Sequence, residues 1–205
     1  MCVVILCFLI YLKTRESYEL TKHSGIKYFR DAFLFFGLSY VARFFFSLIF
    51  LSRMAFDIHI PRNIIMPGFI FIMGYLSTIG IFYLMFGFLW KKFDNKMIII
   101  AAHGIAALLS IIAFTTRSHL ILLYLQSIFL IVAIILSIML HKGKKITQTI
   151  MFYYLLCALW LINLWIISRI RPFSFGIDFF IDLLFEILSL ILLGYIYYKI
   201  SKWVK

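Results

Sequence analysis

Residues 64–90 read IIMPGFIFIMGYLSTIGIFYLMFGFLW, a run without one charged side chain. A membrane-spanning helix needs about 20 mostly apolar residues, and a soluble core helix has no use for so long an uncharged run. This stretch predicts a helix whose solvent is lipid.

The rest of the chain repeats the pattern. The 205 residues are 65% hydrophobic and 14% charged, with mean hydropathy +1.07. A soluble domain carries about 25% charged residues, so a water-soluble fold has no way to hide this surface. The expectation is an all-α, polytopic transmembrane bundle of seven segments. They are placed at about residues 1–23, 32–52, 64–90, 97–116, 119–140, 149–168 and 177–199, in a single domain. The apolar part of the first, Met1–Leu12, reaches only about 18 Å. It spans if the helix runs on through Lys13–His23, with Ser24-Gly25 as the stop. No positive residue precedes this run and no small-residue cleavage site follows it, which argues against a secretory signal.

Charge distribution sets the expected orientation. On one side lie Lys13, Arg15, Lys22, Lys27 and Arg30, then Lys91, Lys92 and Lys96, then Lys142, Lys144 and Lys145, then Lys199, Lys202 and Lys205. The other side holds Arg53, Arg62, Arg117, Arg169 and Arg171, and Arg43 falls inside a segment. Fourteen basic residues against five place the first side in the cytoplasm, with the N-terminus outside and the C-terminus inside. The net charge of +12 therefore reads as a topology signal rather than a nucleic-acid groove. The basic cytoplasmic residues also offer a face for a protein partner. The polar stretch Lys13–Asp31 is read either as a solvated loop or as a segment docked on the anionic leaflet or a partner.

Ionisable groups at membrane depth need a partner, a hydrated cavity or a role. Arg43 lies near the middle of the second segment. Asp178, Asp182 and Glu186 are four apart in the last, so they share one helix face, continued by Ser189 and Tyr197. Asp182 is about 6 Å and Glu186 about 12 Å deeper than Asp178. An Arg43–Glu186 or Arg43–Asp182 pair would relieve both charges, making the second and last segments neighbours. Such a pair either fixes helix register or belongs to a ligand or ion site. Tyr40, Ser77, Thr78, Gln126 and Asn163 gather at similar depth and form an outward-opening polar pocket if they converge; otherwise each bonds local backbone. His103 is either a packed histidine or a proton relay. Ala102, Ala106 and Ser110 form a small-residue stripe that marks the fourth segment as a central packing helix.

Other chemistries find little support. Asp57, His59 and His119 lack metal-site spacing, so no metal is expected. Cys2, Cys7 and Cys157 read as apolar fillers. No Walker, His-Glu-x-x-His, Gly-x-Ser-x-Gly or kinase sequence occurs, and the last segment has no mid-helix lysine for a retinal Schiff base. No catalytic residue is assigned, and the tail Ser201–Lys205 has no room for an output domain. No internal repeat of the transporter kind is visible.

The segment Gly25–Arg30 (GIKYFR) followed by Phe33–Phe44 (FLFFGLSYVARF) resembles one found in small uncharacterised archaeal multi-helix membrane proteins, over about a tenth of the chain. The seven-segment, N-out plan also resembles the sensor halves of membrane kinases, without the kinase. Neither likeness assigns site residues. The functional expectation is a sensory or scaffolding membrane subunit with a midplane polar pocket and a basic cytoplasmic face. The alternative is a transporter or channel for ions, protons or a small solute, using Arg43, Asp182 and Glu186.

Overall fold

The computed structural model describes residues 2–56, 62–93, 95–140, 155–160, 162 and 177–203. Every regular element among them is a helix. These are α1 (Cys2–Thr21), α2 (Ser24–Phe56), α3 (Arg62–Phe93), α4 (Lys96–Thr116), α5 (His119–Leu140), α6 (helical at 155–160) and α7 (Ile177–Trp203). Among the described residues, four helices are long and apolar enough to cross a membrane, over Ser24–Ile49, Ile65–Trp90, Lys96–Thr116 and Leu183–Lys202. The chain divides into two compact units, Met1–Leu122 and Leu123–Lys205.

In the first unit, α1 packs on α2, α2 on α3 and α3 on α4. The contacts run in opposite senses along each pair, so successive helices are antiparallel. A Cβ on Gly37 of α2 would lie 3.1 Å from Cys7 Cβ of α1, whereas Arg30 sits over the Tyr11 and Tyr18 rings. Between α2 and α3, Gly25 abuts Gly87, Tyr28 meets Tyr83 and Phe86, and Phe46 stacks on Phe69 at 4.1 Å. Between α3 and α4, Gly74 faces Ser110, and Ile70 packs with Ala113. The ends of α1 and α3 and the starts of α2 and α4 therefore share one end of the unit. His23 and Trp90 touch there, ring centroids 4.5 Å apart. The basic clusters Lys13–Arg30 and Lys91–Lys96 are thus brought to the same end.

The stretch Lys13–Asp31 is not a loop. It supplies the last turns of α1 and the first turns of α2, with only Lys22 and His23 between them. Lys13–Glu16 (2.7 Å) and Arg15–Glu19 (2.8 Å) pair at helical spacing, which keeps a polar segment helical. With these turns included, α1 is 20 residues long, or about 30 Å. Its stop is Lys22, in the left-handed conformation at φ 52°. Ser24 and Gly25 begin the next helix instead of ending this one. The reason is steric: Gly25 lies where α2 and α3 approach, and a Cβ there would meet the Gly87 carbonyl and Trp90 at 3.0 Å.

Within the first unit the central helix is α3 and not α4. Of the membrane-length windows, 67% of that in α3 is buried against 22% of that in α4. The stripe Ala102, Ala106, Ser110 and Ala113 is buried on α3's flank, as small residues permit. The other side of α4 exposes Met97, Ile100, Leu108 and Ile111. A small-residue stripe marks one close contact; it does not require that the helix be enclosed all round. α4 is framed by Asn95, whose side chain accepts from the Met97 N–H at 3.0 Å, and by Arg117 at φ 51°.

In the second unit, Ser189, Leu193, Ile196 and Ile200 form the buried stripe of α7 at helical spacing. Leu156, Cys157, Leu159 and Trp160 of α6 are buried, as are Gln126, Leu130 and Ala133 of α5.

Candidate functional site

The most connected polar constellation among the described residues lies between α3 and α4. His103 enters from the second turn of α4, held half-buried beside the small-residue stripe. The Tyr75 hydroxyl is 2.8 Å from its Nδ1, and the Tyr83 hydroxyl is 3.3 Å from its Nε2. Both tyrosines come from α3, eight residues apart and therefore about 80° apart round the helix. Their long side chains converge on the imidazole from either end. Which hydroxyl donates depends on the tautomer: a neutral imidazole offers one N–H and one lone pair. Phe35 of α2 closes the cluster, edge-on to His103 at 6.4 Å and against Tyr83 at 5.2 Å.

A second constellation adjoins it. Arg30 and Asp31 pair at 2.7 Å, each side chain about one-sixth exposed at 17% and 16%. The Arg30 guanidinium lies 5.5 Å from the Tyr11 ring centre and 5.2 Å from that of Tyr18, tying α2 to α1. Tyr28 and Phe35 both contact the Tyr83 ring. Asp31 lies three residues after one and four before the other, on the same face of α2. Its carboxylate acts electrostatically on Tyr83. The groups Asp31, Tyr83, His103 and Tyr75 therefore follow one another from the hairpin end of the unit toward its middle.

The residues singled out from the sequence divide as follows. His103 is in this cluster. Ser77 and Thr78 are buried in α3 and donate to their own helix, Ser77 to the Met73 carbonyl at 2.7 Å and Thr78 to that of Gly74 at 2.7 Å. Tyr40 is half-buried and lies edge-on to Phe36 at 5.3 Å. Arg43 is half-buried in α2, in the first unit. Gln126 is buried in α5, and Glu186 is exposed in α7, both in the second unit. Glu186 is on the face of buried Leu193, seven residues on, and four residues (about 6 Å) from the helix centre. Asp178 and Asp182 are within α7, with side chains outside the described set. Asn163, Asp57 and His59 lie outside the described residues.

Sequence reasoning missed Tyr75, Tyr83 and Asp31, and named Arg30 only as part of the basic face. The tyrosines carried no signal, because nothing in one helix names the helix opposite. Arg30 and Asp31 stood in a stretch read either as a solvated loop or as a segment docked on the leaflet or a partner.

No family model matches the chain, and no solved structure matches it. It is 29% identical over 184 residues to a protein of Archaeoglobus fulgidus described as uncharacterised, an alignment covering 84% of this chain and 79% of that one.

Proposed function

We propose that this chain is a seven-segment membrane subunit of the sensory or scaffolding kind, N-terminus outside and C-terminus in the cytoplasm, engaging a partner protein through its basic face. One observation carries the reading: both basic clusters of the first unit come to the same end, beside a helix module whose polar groups bond one another. Ser39, Ser77, Thr78 and Ser110 bond within their own helices, and Tyr75, His103 and Tyr83 join two helices. Polar groups so used make the module rigid. At its hairpin end Arg15, Lys22 and Lys27 are exposed. A rigid membrane module with a basic end suits presentation of charge to an acidic partner surface. The test is capture from solubilised membranes with and without Lys22→Glu and Lys27→Glu together. A partner retained by the wild-type chain and lost by the variant supports the reading. Capture of nothing, or the same capture by both, refutes it.

The pairing of Arg43 with Glu186 or Asp182, expected from the sequence, is the part of the ligand reading that a direct measurement reaches. A double-mutant cycle with Arg43→Ala and Glu186→Gln should show a coupling energy of roughly 0.5–3 kcal/mol. Additive effects, repeated with Asp182→Asn, would remove the pairing.

A further inference from the structure

A histidine with a hydroxyl on each ring nitrogen is the arrangement that lets a proton enter at one nitrogen and leave from the other. The Tyr83–His103–Tyr75 chain has it, with contacts of 3.3 Å and 2.8 Å. We infer that Tyr83, His103 and Tyr75 form a reversible proton relay between the hairpin end of the first unit and its interior. The ligand is the proton. In the starting arrangement Tyr83 donates to Nε2, and the Nδ1–H donates to Tyr75. In one passage the Tyr83 O–H bond breaks as the Nε2–H bond forms. The Nδ1–H bond breaks as a new O–H bond forms on Tyr75, which gives its own proton to water. Tyr83 is refilled from water at the Asp31 end. One proton enters and one leaves, no charge is left behind, and the imidazole has changed tautomer.

The surroundings fit this task. Asp31 stands on the α2 face that contacts Tyr83, where its carboxylate favours a proton arriving at that end. Arg30 pairs with Asp31 at 2.7 Å, and Lys27 lies one turn earlier on the same helix. Phe35 lies edge-on to the imidazole at 6.4 Å, an apolar ring beside the relay. The relay does not rest on the partner-binding reading. Of the two charge reversals that test that reading, Lys22→Glu alone should leave the His103 signals where they are.

The test is ¹⁵N NMR of the histidine rings in the full chain, in lipid nanodiscs and alkaline buffer, with His103 assigned by its loss in His103→Gln. The wild type should show both tautomers in exchange. Tyr75→Phe leaves Nδ1 without a partner, so the proton should settle on Nε2 and point at Tyr83. Tyr83→Phe should do the reverse and fix the proton on Nδ1. A single tautomer shared by the wild type and both variants overturns the relay and makes the cluster a static clamp. If a variant does not fold, the wild-type spectrum decides alone: exchange supports the relay and one frozen tautomer overturns it.

Discussion

Gly25→Val is expected to lower the stability of the first unit by about 1–3 kcal/mol, the usual cost of overpacking a close contact. The size follows from what the new Cβ meets. At Gly25 it would lie 3.0 Å from the Gly87 carbonyl oxygen, and at Gly87 it would lie 3.2 Å from the Phe29 backbone nitrogen. Both obstacles are main chain of a packed helix, so no rotamer change relieves them and α2 must move off α3. That motion also disturbs Tyr28, buried to 2% exposure against Tyr83 and Phe86. Gly25 stands in the first turn of α2, so little helix propensity is gained in return. Gly87→Val strains the same seam, so the double variant should cost less than the two single losses together. Gly104 is the control: a Cβ there meets nothing within 4 Å. Gly104→Ala should therefore stabilise by about 0.5–1 kcal/mol, the gain in helix propensity alone. Unfolding in mixed micelles with rising sodium dodecyl sulfate gives both signs. Equal effects at Gly25 and Gly104 would mean that α2 and α3 do not approach at this seam.

That seam shows what a sequence does and does not disclose about such a bundle. Apolar runs mark helices because lipid leaves the backbone no other way to satisfy its polar groups, and α3 and α4 were visible for that reason. The Ala102–Ala106–Ser110 stripe was also legible as a close contact, because small residues at four-residue spacing have one geometric meaning. What they touch was not legible, and so α4 was read as central when α3 is. Gly25 read as punctuation, since glycine after a polar run usually ends a helix, but here it admits a neighbour's backbone. The polar stretch Lys13–Asp31 held a readable signal in Lys13–Glu16 and Arg15–Glu19, which sit at helical spacing. The first helix was expected to run on through His23, but the next was expected to begin at Ala32, so the Arg30–Asp31 pair was lost from view. The Tyr75–His103–Tyr83 cluster depends on which helices meet and at what register, which one chain read alone does not contain.

Arg30→Met is the second change expected to have a large effect, because one side chain serves three neighbours. Its guanidinium holds Asp31 at 2.7 Å and covers the rings of Tyr11 and Tyr18. Removing one partner of a buried ion pair costs about 3–5 kcal/mol, since the other charge stays in place without solvent. Here the pair keeps about one-sixth of its surface exposed, and Lys27 supplies a second positive charge toward Asp31. Both reduce the loss, to roughly 2–3 kcal/mol. Methionine retains much of the apolar stem over the tyrosines, so most of what is lost is the charge. Adding Asp31→Leu should then recover most of the stability, because a charge that is absent needs no partner. The same double change removes the carboxylate beside Tyr83, so it separates fold from relay. Stability in micelles should return toward wild type, while the balance of His103 tautomers should shift. No recovery of stability would show that the guanidinium's contacts with Tyr11 and Tyr18, and not its charge on Asp31, hold α1 to α2.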